Sequence, residues 1–285
     1  MRFIIPDREI CVEKIKIPSK ERKIPALVLY PRQRPAQATG VLWIHGGGYI
    51  TGMKEMVHMS RAVDLVKRFG FLDEESAKHL AERFGAAVIS PGYRLAPFSP
   101  YPAAAEDCYA ALLYLKEHAG EMGVREDQIM VGGESAGGGL CAAVCIMARD
   151  RGEVKVAFQM PLYPMLDDRD TESSGDNHGK GWNTRKNHMA WRCYLRGQDR
   201  ENLSPYAAPA RLEDFSGLPP AYTFVGDGEP FYAETLSYTE KLRACGIPAE
   251  ADVYHSDMHA FDMLRRCLTG LPVEKAGPGK YLEKM

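Results

Sequence analysis

A serine between glycines is the residue of this chain best suited to nucleophilic chemistry. The segment Gly133-Glu134-Ser135-Ala136-Gly137 fits the pattern G-x-S-x-G, in which a serine stands on a sharp turn between a strand and a helix. Apolar residues at 129–131 predict the strand, and the small residues after Ser135 predict the helix start. Glycines suit such a turn because side chains would clash where strand and helix close together. The pattern also occurs by chance, so an unreactive glycine-rich loop is the alternative.

Backbone N–H groups that can hold a developing negative charge follow a second apolar run. Residues 41–44 are continuously apolar, which is typical of a buried parallel strand, and they lead into His45-Gly46-Gly47-Gly48. Glycines at this place let N–H groups approach a substrate oxygen closely. The N–H of Ala136, directly after the serine, supplies a further donor. We expect His45 to brace the loop by a hydrogen bond rather than to act as a base.

A proton acceptor and an acid that orients it are expected after the serine, in the chain order serine, acid, histidine. His255 and His259 both follow the last predicted strand. His259 lies in the loop before the final predicted helix, where a side chain can reach the C-terminal edge of the sheet. Asp227 and Glu229 follow the preceding strand and are the acids placed to hold a histidine.

The elements that must position these residues alternate regularly along the chain. Residues 11–17 and 24–30 are β-like, and the alternation between apolar and polar residues at 12–17 predicts an antiparallel pair at a sheet edge. Further strands are predicted at 86–90, 129–131, 156–160, 221–225 and 249–254, with helices at 103–118, 136–149, 186–195, 231–245 and from 260. This alternation predicts one α/β domain, residues 1–285, with a mostly parallel, doubly wound sheet. Residues 54–84 form a predicted helical insertion.

Composition excludes several classes of protein. The chain has 285 residues, 45% hydrophobic and 26% charged, and a formal net charge of −2. That balance gives no basic surface for nucleic acid, and no apolar run reaches the roughly 20 residues of a membrane span. The first residues do not resemble a signal peptide, so we expect a cytoplasmic protein. Seven scattered cysteines predict neither a disulfide framework nor a zinc site, and Cys141 and Cys145 are expected in the core. His178 and His188 lie in a polar stretch and are expected at the surface.

Several linked motifs make residues 40–261 similar to the hormone-sensitive-lipase-like branch (bacterial family IV) of the α/β-hydrolase esterases. The motifs are His45-Gly46-Gly47-Gly48-Tyr49, Tyr93-Arg94-Leu95-Ala96-Pro97, Tyr101-Pro102-Ala103-Ala104, Gly133-Glu134-Ser135-Ala136-Gly137-Gly138 and His259-Ala260-Phe261. The resemblance implies an α/β-hydrolase fold with Ser135 as nucleophile and His259 as base. It implies oxyanion donors at Gly47, Gly48 and Ala136. No metal or organic cofactor is required, the partner is a small-molecule ester, and relatives often form homodimers.

Two departures from that family bear on the site. The family usually has an aspartate before a proline, whereas here Glu229 precedes Pro230-Phe231. This register favours Glu229 as the acid, with Asp227 as the alternative. The segment before the glycine motif is also shorter than usual, which predicts a reduced helical cap. The insertion at 54–84 is a candidate for a substitute lid.

The resemblance therefore implies a serine carboxylesterase acting on short-chain, acetyl-like esters through an acyl-enzyme. One alternative is a non-catalytic small-molecule receptor on the same fold, since some relatives bind a hormone after losing the histidine. The presence of His259 disfavours that alternative. A second alternative is an amide or peptide hydrolase that uses the same three side chains.

Overall fold

Eight strands form a single sheet whose centre is parallel. The computed structural model describes residues 10–32, 37–59 and 86–263. The strands in chain order are β1 Ile10–Pro18, β2 Lys23–Pro31, β3 Ala38–Ile44, β4 Ala86–Pro91, β5 Val124–Glu134, β6 Phe158–Leu162, β7 Ala221–Gly226 and β8 Ala249–Tyr254. Their order across the sheet is β1-β2-β4-β3-β5-β6-β7-β8. Because β3 and β5 lie side by side in the middle, the loops that follow them meet at the same edge.

The first two strands depart from the parallel arrangement, as the alternation at residues 12–17 predicts. β1 pairs antiparallel with β2, and β2 pairs antiparallel with β4. All the other neighbours pair in parallel. In β1 the side chains of alternate residues such as Ile15 and Ile17 are more buried than the lysines beside them, which suits a strand at the end of the sheet. The predicted antiparallel edge pair is therefore confirmed.

Two hydrophobic clusters cover the two faces of the sheet. Four helices pack on the first face: α1 Ala103–Glu117, α2 Ala136–Arg151, α3 Thr184–Tyr194 and α4 Tyr232–Ala244. Within β3, Leu42 faces this cluster while Val41 faces the second one. The second cluster includes Val57, from a 3-10 helix at Lys54–Met59, and Phe261, where the chain turns helical again. Apolar side chains on both faces explain why the central strands are continuously apolar in sequence.

Most predicted elements are found within a few residues of their expected bounds. β5 is longer than predicted, because it begins at Val124 rather than at residue 129. β6 begins at Phe158 rather than at residue 156 and runs on through Pro161. Of the predicted helical insertion at 54–84, residues 54–59 form the 3-10 helix, and the remainder lies outside the described residues. That the whole chain is one domain stays a prediction.

The expected places of the cysteines agree with the structure. Cys141 and Cys145 are buried on α2, as predicted. Cys267 lies outside the described residues. Within the three described ranges, no helix is long and apolar enough to cross a bilayer.

Candidate active site

Ser135 occupies the turn between β5 and α2 in a backbone conformation that few residues adopt. Its φ of 57° and ψ of −120° lie outside the regions favoured by residues with a side chain. The Ser135 N–H donates to the carbonyl oxygen of Leu162 at 3.0 Å, and the Ser135 carbonyl accepts from Gly139 and Met165, each at 3.0 Å. These hydrogen bonds, to the end of β6, the loop after it and the first turn of α2, hold the strained residue in place. The predicted strand-turn-helix context of this serine is confirmed.

The glycines beside Ser135 are required by close backbone contacts. A Cβ on Gly137 would lie 2.1 Å from the carbonyl oxygen of Ile44, and one on Gly133 would lie 2.4 Å from that of Gly137. Both distances are far below van der Waals contact. Any side chain at either position would push α2 away from β3 and β5, and with them the serine from its neighbours.

His259 joins the serine to a buried carboxylate. Its Nε2 lies 2.8 Å from Ser135 Oγ, and its Nδ1 lies 2.5 Å from Glu229 Oε2. A carboxylate only accepts hydrogen bonds, so the ring proton belongs on Nδ1 and Nε2 is left to accept the serine hydroxyl. The other carboxylate oxygen, Glu229 Oε1, accepts from the N–H of Gly226 at 2.8 Å. The structure thus brings three of the sequence-predicted site residues into one hydrogen-bonded line.

Aromatic rings surround the imidazole of His259. The rings of Tyr163 and Phe231 meet it edge to face, with centroids 5.1 Å and 5.0 Å away. The Tyr163 hydroxyl donates to Asp262 Oδ1 at 2.9 Å, and burial raises the pKa of this hydroxyl well above its usual value. These packed rings restrict the orientation of the imidazole, and the sequence analysis did not anticipate them.

The alternative acid, Asp227, is directed elsewhere. Its Oδ2 lies 2.7 Å from His255 Nδ1, and its Oδ1 accepts from the N–H of Ser256 at 3.1 Å. Both side chains of this second pair are exposed to solvent. The geometry therefore groups Glu229, and not Asp227, with His259 and Ser135.

The glycine loop after β3 lies directly against the serine turn. A Cβ on Gly46 would be 3.3 Å from the Cβ of Ser135. Gly47 and Gly48 have φ values of 115° and 60°, which favour glycine. Within the described part of the chain, the N–H groups of Gly47, Gly48 and Ala136 have no hydrogen-bond acceptor. Three predicted donors are thus available beside the serine.

Tyr49 anchors the glycine loop to the rest of the protein. Its hydroxyl donates to the carbonyl of Met165 at 2.9 Å, and its ring stacks on Tyr194 of α3 with centroids 4.0 Å apart. The N–H of Thr51 donates back to the Gly47 carbonyl at 3.0 Å. These contacts hold the loop in one conformation, so its N–H groups are preorganised to bind an anion.

His45 braces the same loop, as the sequence predicts. Its Nδ1 lies 2.8 Å from the Gly46 carbonyl, and its ring stacks on Tyr93 with centroids 4.2 Å apart. Among the described residues its buried Nε2 has no hydrogen-bond partner. Burial lowers the pKa of His45 from 6.5 to about 4, so its ring stays neutral near pH 7. His178 and His188 are exposed, as expected.

Trp182 is a further residue beside the site that the sequence analysis missed. Its ring lies against Gly48, and its centroid is 6.3 Å from that of His259. Two residues earlier in the same segment, the carbonyl of Lys180 accepts a hydrogen bond from the N–H of His259 at 2.9 Å. Lys180 also donates its own N–H to the Asp257 carbonyl at 2.9 Å. A segment predicted only as a polar stretch therefore forms one wall of the site.

No metal centre is evident among the residues that the structure describes. Within these ranges, no three side chains of His, Cys, Asp or Glu are grouped so that they can hold an ion. The site consists of a hydroxyl, an imidazole, a carboxylate and backbone N–H groups, all of which act in proton transfer and anion stabilisation.

Comparison with known proteins gives concordant matches. Residues 41–263 match the family model described as the alpha/beta hydrolase fold. Esterase LipI of Mycobacterium tuberculosis is 32% identical over 257 residues, which cover 89% of this chain and 75% of LipI. An arylesterase of Saccharolobus solfataricus is 28% identical, over 87% of this chain and 76% of the relative. The solved structure of a bacterial heroin esterase is 32% identical with a TM-score of 0.77, over 89% of this chain and 77% of that one.

Proposed function

The chain belongs to the α/β-hydrolase-fold family, in its hormone-sensitive-lipase-like branch of esterases, and we propose that it is a serine carboxylesterase for short-chain acyl esters. The observation that carries the proposal is the hydrogen-bonded line from Ser135 through His259 to Glu229. It lies beside N–H groups that have no other acceptor among the described residues. The esterases reported above support the reaction class, ester hydrolysis, but they do not specify the acyl group or the alcohol of the substrate.

In the proposed reaction, His259 Nε2 takes the proton of Ser135 as Oγ attacks the ester carbonyl carbon. The carbonyl oxygen becomes an oxyanion and accepts hydrogen bonds from the N–H groups of Gly47, Gly48 and Ala136. Glu229 keeps the Nδ1–H of His259 oriented and stabilises the imidazolium that forms.

The tetrahedral intermediate then collapses. The C–O bond to the alcohol breaks, and His259 gives its proton to the leaving oxygen, so that the alcohol departs neutral. A water molecule attacks the acyl-enzyme carbonyl by the same route. His259 accepts a proton from this water and returns it to Ser135 Oγ when the carboxylic acid is released. Every proton taken is given back within one cycle.

Labelling and mutation of Ser135 test the proposed function. A fluorophosphonate is expected to form one adduct, on Ser135, as detected by mass spectrometry. Ser135→Ala removes the nucleophile with little effect on folding, and kcat on p-nitrophenyl acetate is expected to fall roughly 10⁵- to 10⁶-fold. An adduct on another residue contradicts the assignment. Binding of esters without turnover by the wild type indicates the receptor alternative, and faster turnover of an anilide than of the ester indicates an amidase.

The preference for short acyl chains is inferred from how residues 10–31 are used. They form β1 and β2 at the far end of the sheet, so they contribute no helix above Ser135. A long acyl chain whose tail stays in water gains little of the about 0.8 kcal/mol that each buried methylene otherwise contributes. A substitute lid from 54–84 falls mostly outside the described residues, so it too stays a prediction.

A series of p-nitrophenyl esters from C2 to C12 measures this preference. We expect kcat/KM to peak between acetyl and butyryl and to fall beyond about six carbons, because the apolar transfer term is lost. A maximum at C8 or longer contradicts the short-chain proposal and indicates a deep covered pocket. The cytoplasmic location and the homodimer also stay predictions. Cell fractionation tests the location, and light scattering tests the oligomeric state.

A further inference from the structure

Trp182 stands where it can contact part of a bound ester. A Cβ on Gly48 would lie 2.2 Å from Cη2 of the Trp182 ring, with Cζ2 and Cζ3 next at 2.9 Å and 3.1 Å. These three atoms are consecutive along the outer edge of the six-membered ring, so Gly48 meets the edge and not the face. The ring is partly buried and packs against the core. The contact with Gly48 therefore does not cover the face of the indole ring.

The five-membered ring of the same indole is held by a hydrogen bond. Trp182 Nε1 donates to the Oδ1 of Asn187 at 3.3 Å, and Asn187 is itself buried on α3. The next residue, Asn183, caps α3 by accepting from the N–H of Lys186 at 3.1 Å. Because both rings of the indole and the adjoining backbone are held, the side chain is preorganised and loses little freedom when a ligand binds.

The position of the ring specifies which half of the ester it faces. In the proposed reaction the carbonyl oxygen points at the N–H of Gly48, and the leaving oxygen must come within hydrogen-bond reach of His259 Nε2. Trp182 touches the first of these residues and lies 6.3 Å, between centroids, from the second. An alcohol group that extends from the leaving oxygen between them passes alongside the indole.

We propose that Trp182 makes the enzyme selective for esters of planar, aromatic alcohols. The proposal rests on the proposed esterase function and adds the chemical class of the leaving group. A flat ring in the alcohol can stack on the indole or meet it edge to face, whereas a puckered ring of the same size cannot. Such aromatic pairs change a rate by about 3- to 10-fold when they are formed in the transition state.

The test compares benzyl acetate with cyclohexylmethyl acetate. These esters share the acyl group, the carbon count and a primary-alcohol leaving group, and they differ in the planarity of the ring. The measured quantity is the ratio of their kcat/KM values on one enzyme preparation, which partial misfolding does not change. We expect Trp182→Leu to lower the benzyl-to-cyclohexylmethyl ratio about 3- to 10-fold, because leucine keeps an apolar side chain and loses the aromatic plane.

Two further variants sharpen the result. Trp182→Phe keeps an aromatic face and is expected to retain most of the wild-type ratio. Phe98→Leu is the matched control, since Phe98 is an aromatic residue that is 90% exposed, and its ratio is expected to equal that of the wild type.

The outcomes separate this proposal from the proposed function. If the wild type hydrolyses neither ester, the esterase function fails. If it hydrolyses both and Trp182→Leu leaves the ratio unchanged, the selectivity proposal is overturned. It is also overturned if Trp182→Leu alters the preference between benzyl acetate and benzyl butyrate instead, since the ring then faces the acyl half.

Discussion

One loop of this protein supplies two carboxylates and another supplies two histidines. They form two carboxylate–histidine pairs that are worth comparing. The loop after β7 carries Asp227 and Glu229, and the loop after β8 carries His255 and His259. His259 and Glu229 lie 2.5 Å apart, with side chains that are 8% and 0% exposed. His255 and Asp227 lie 2.7 Å apart, with side chains that are 69% and 39% exposed.

The two contacts are nearly equal in length, so distance does not explain the difference in chemistry. In the buried pair the remaining nitrogen of the imidazole faces Ser135 Oγ, and water is largely excluded. Charges in such a place interact strongly, whereas an exposed ion pair is screened and contributes little. Burial and the direction of the second ring nitrogen therefore distinguish the candidate catalytic pair from its surface counterpart.

The largest expected effect comes from removing each histidine in turn. We expect His259→Ala to lower kcat roughly 10⁵- to 10⁶-fold, because Ser135 loses its base. His255→Ala removes an exposed side chain and is expected to leave kcat within about twofold of the wild type. Steady-state hydrolysis of p-nitrophenyl acetate measures both. Comparable losses in the two variants would remove the distinction between the pairs.

Removing the charge of each carboxylate has the next largest effect. Glu229→Gln places an amide beside His259 Nδ1, which favours the wrong imidazole tautomer, and kcat is expected to fall roughly 10⁴-fold. Asp227→Asn is the matched change in the exposed pair, and both kcat and Tm are expected to stay close to the wild-type values. A severe loss in Asp227→Asn together with a mild one in Glu229→Gln would reverse the assignment of the acid.

His45 extends the comparison to a buried histidine that forms no hydrogen bond to a carboxylate of the described residues. Burial lowers its pKa from the usual 6.5 to about 4 in the folded protein, so the unfolded chain binds the proton first as the pH falls. This group leaves the free energy of unfolding undiminished above pH 6.5, and that free energy falls as the pH drops from 6.5 to about 4. Between pH 7.5 and 5 the expected loss is about 2 kcal/mol.

Urea unfolding of the wild type and of His45→Asn measures this loss. Asparagine retains a donor for the Gly46 carbonyl and does not titrate, so the variant is expected to show a flatter dependence on pH between 7.5 and 5. Between pH 7.5 and 9 His45 is neutral in both states, and the two proteins should then change in parallel. Parallel curves across the acidic range as well would show that His45 is not the group responsible.

The order of elements and the core positions of the sequence were predictable because the periodicity is clear. Where the periodicity is unclear, the predicted bounds of the strands were wrong. Residues 125–128 are polar and read as a loop, yet they continue β5 because Val124 pairs with Ala38 at a register shift in β3. β6 was predicted to end at residue 160, yet it continues through Pro161, which pairs with Gly133 of β5. On its other side β6 pairs with β7 only through Gln159 and Ala221, and a strand with so short a ladder on one side loses little there by containing a proline.

The candidate site divides in the same way. Local motifs identified Ser135, the glycine loop and His259 as candidates, because each depends on backbone geometry that neighbouring residues encode. Asp227 and Glu229 remained alternatives, because two residues of spacing cannot specify which carboxylate turns inward. Trp182 carried no signal, since its place depends on the segment before α3 crossing to meet Gly48. Contacts between distant loops are properties of the folded chain and not of any window of sequence.

The 124 positions between Ser135 and His259 also have a consequence in time. A ribosome that adds about 5 to 20 residues per second needs on the order of 6 to 25 s to travel from the serine codon to the histidine codon. Throughout that interval the growing chain holds its hydroxyl and its glycine loop without a base. A chain interrupted before residue 259 is therefore expected to be inert toward esters.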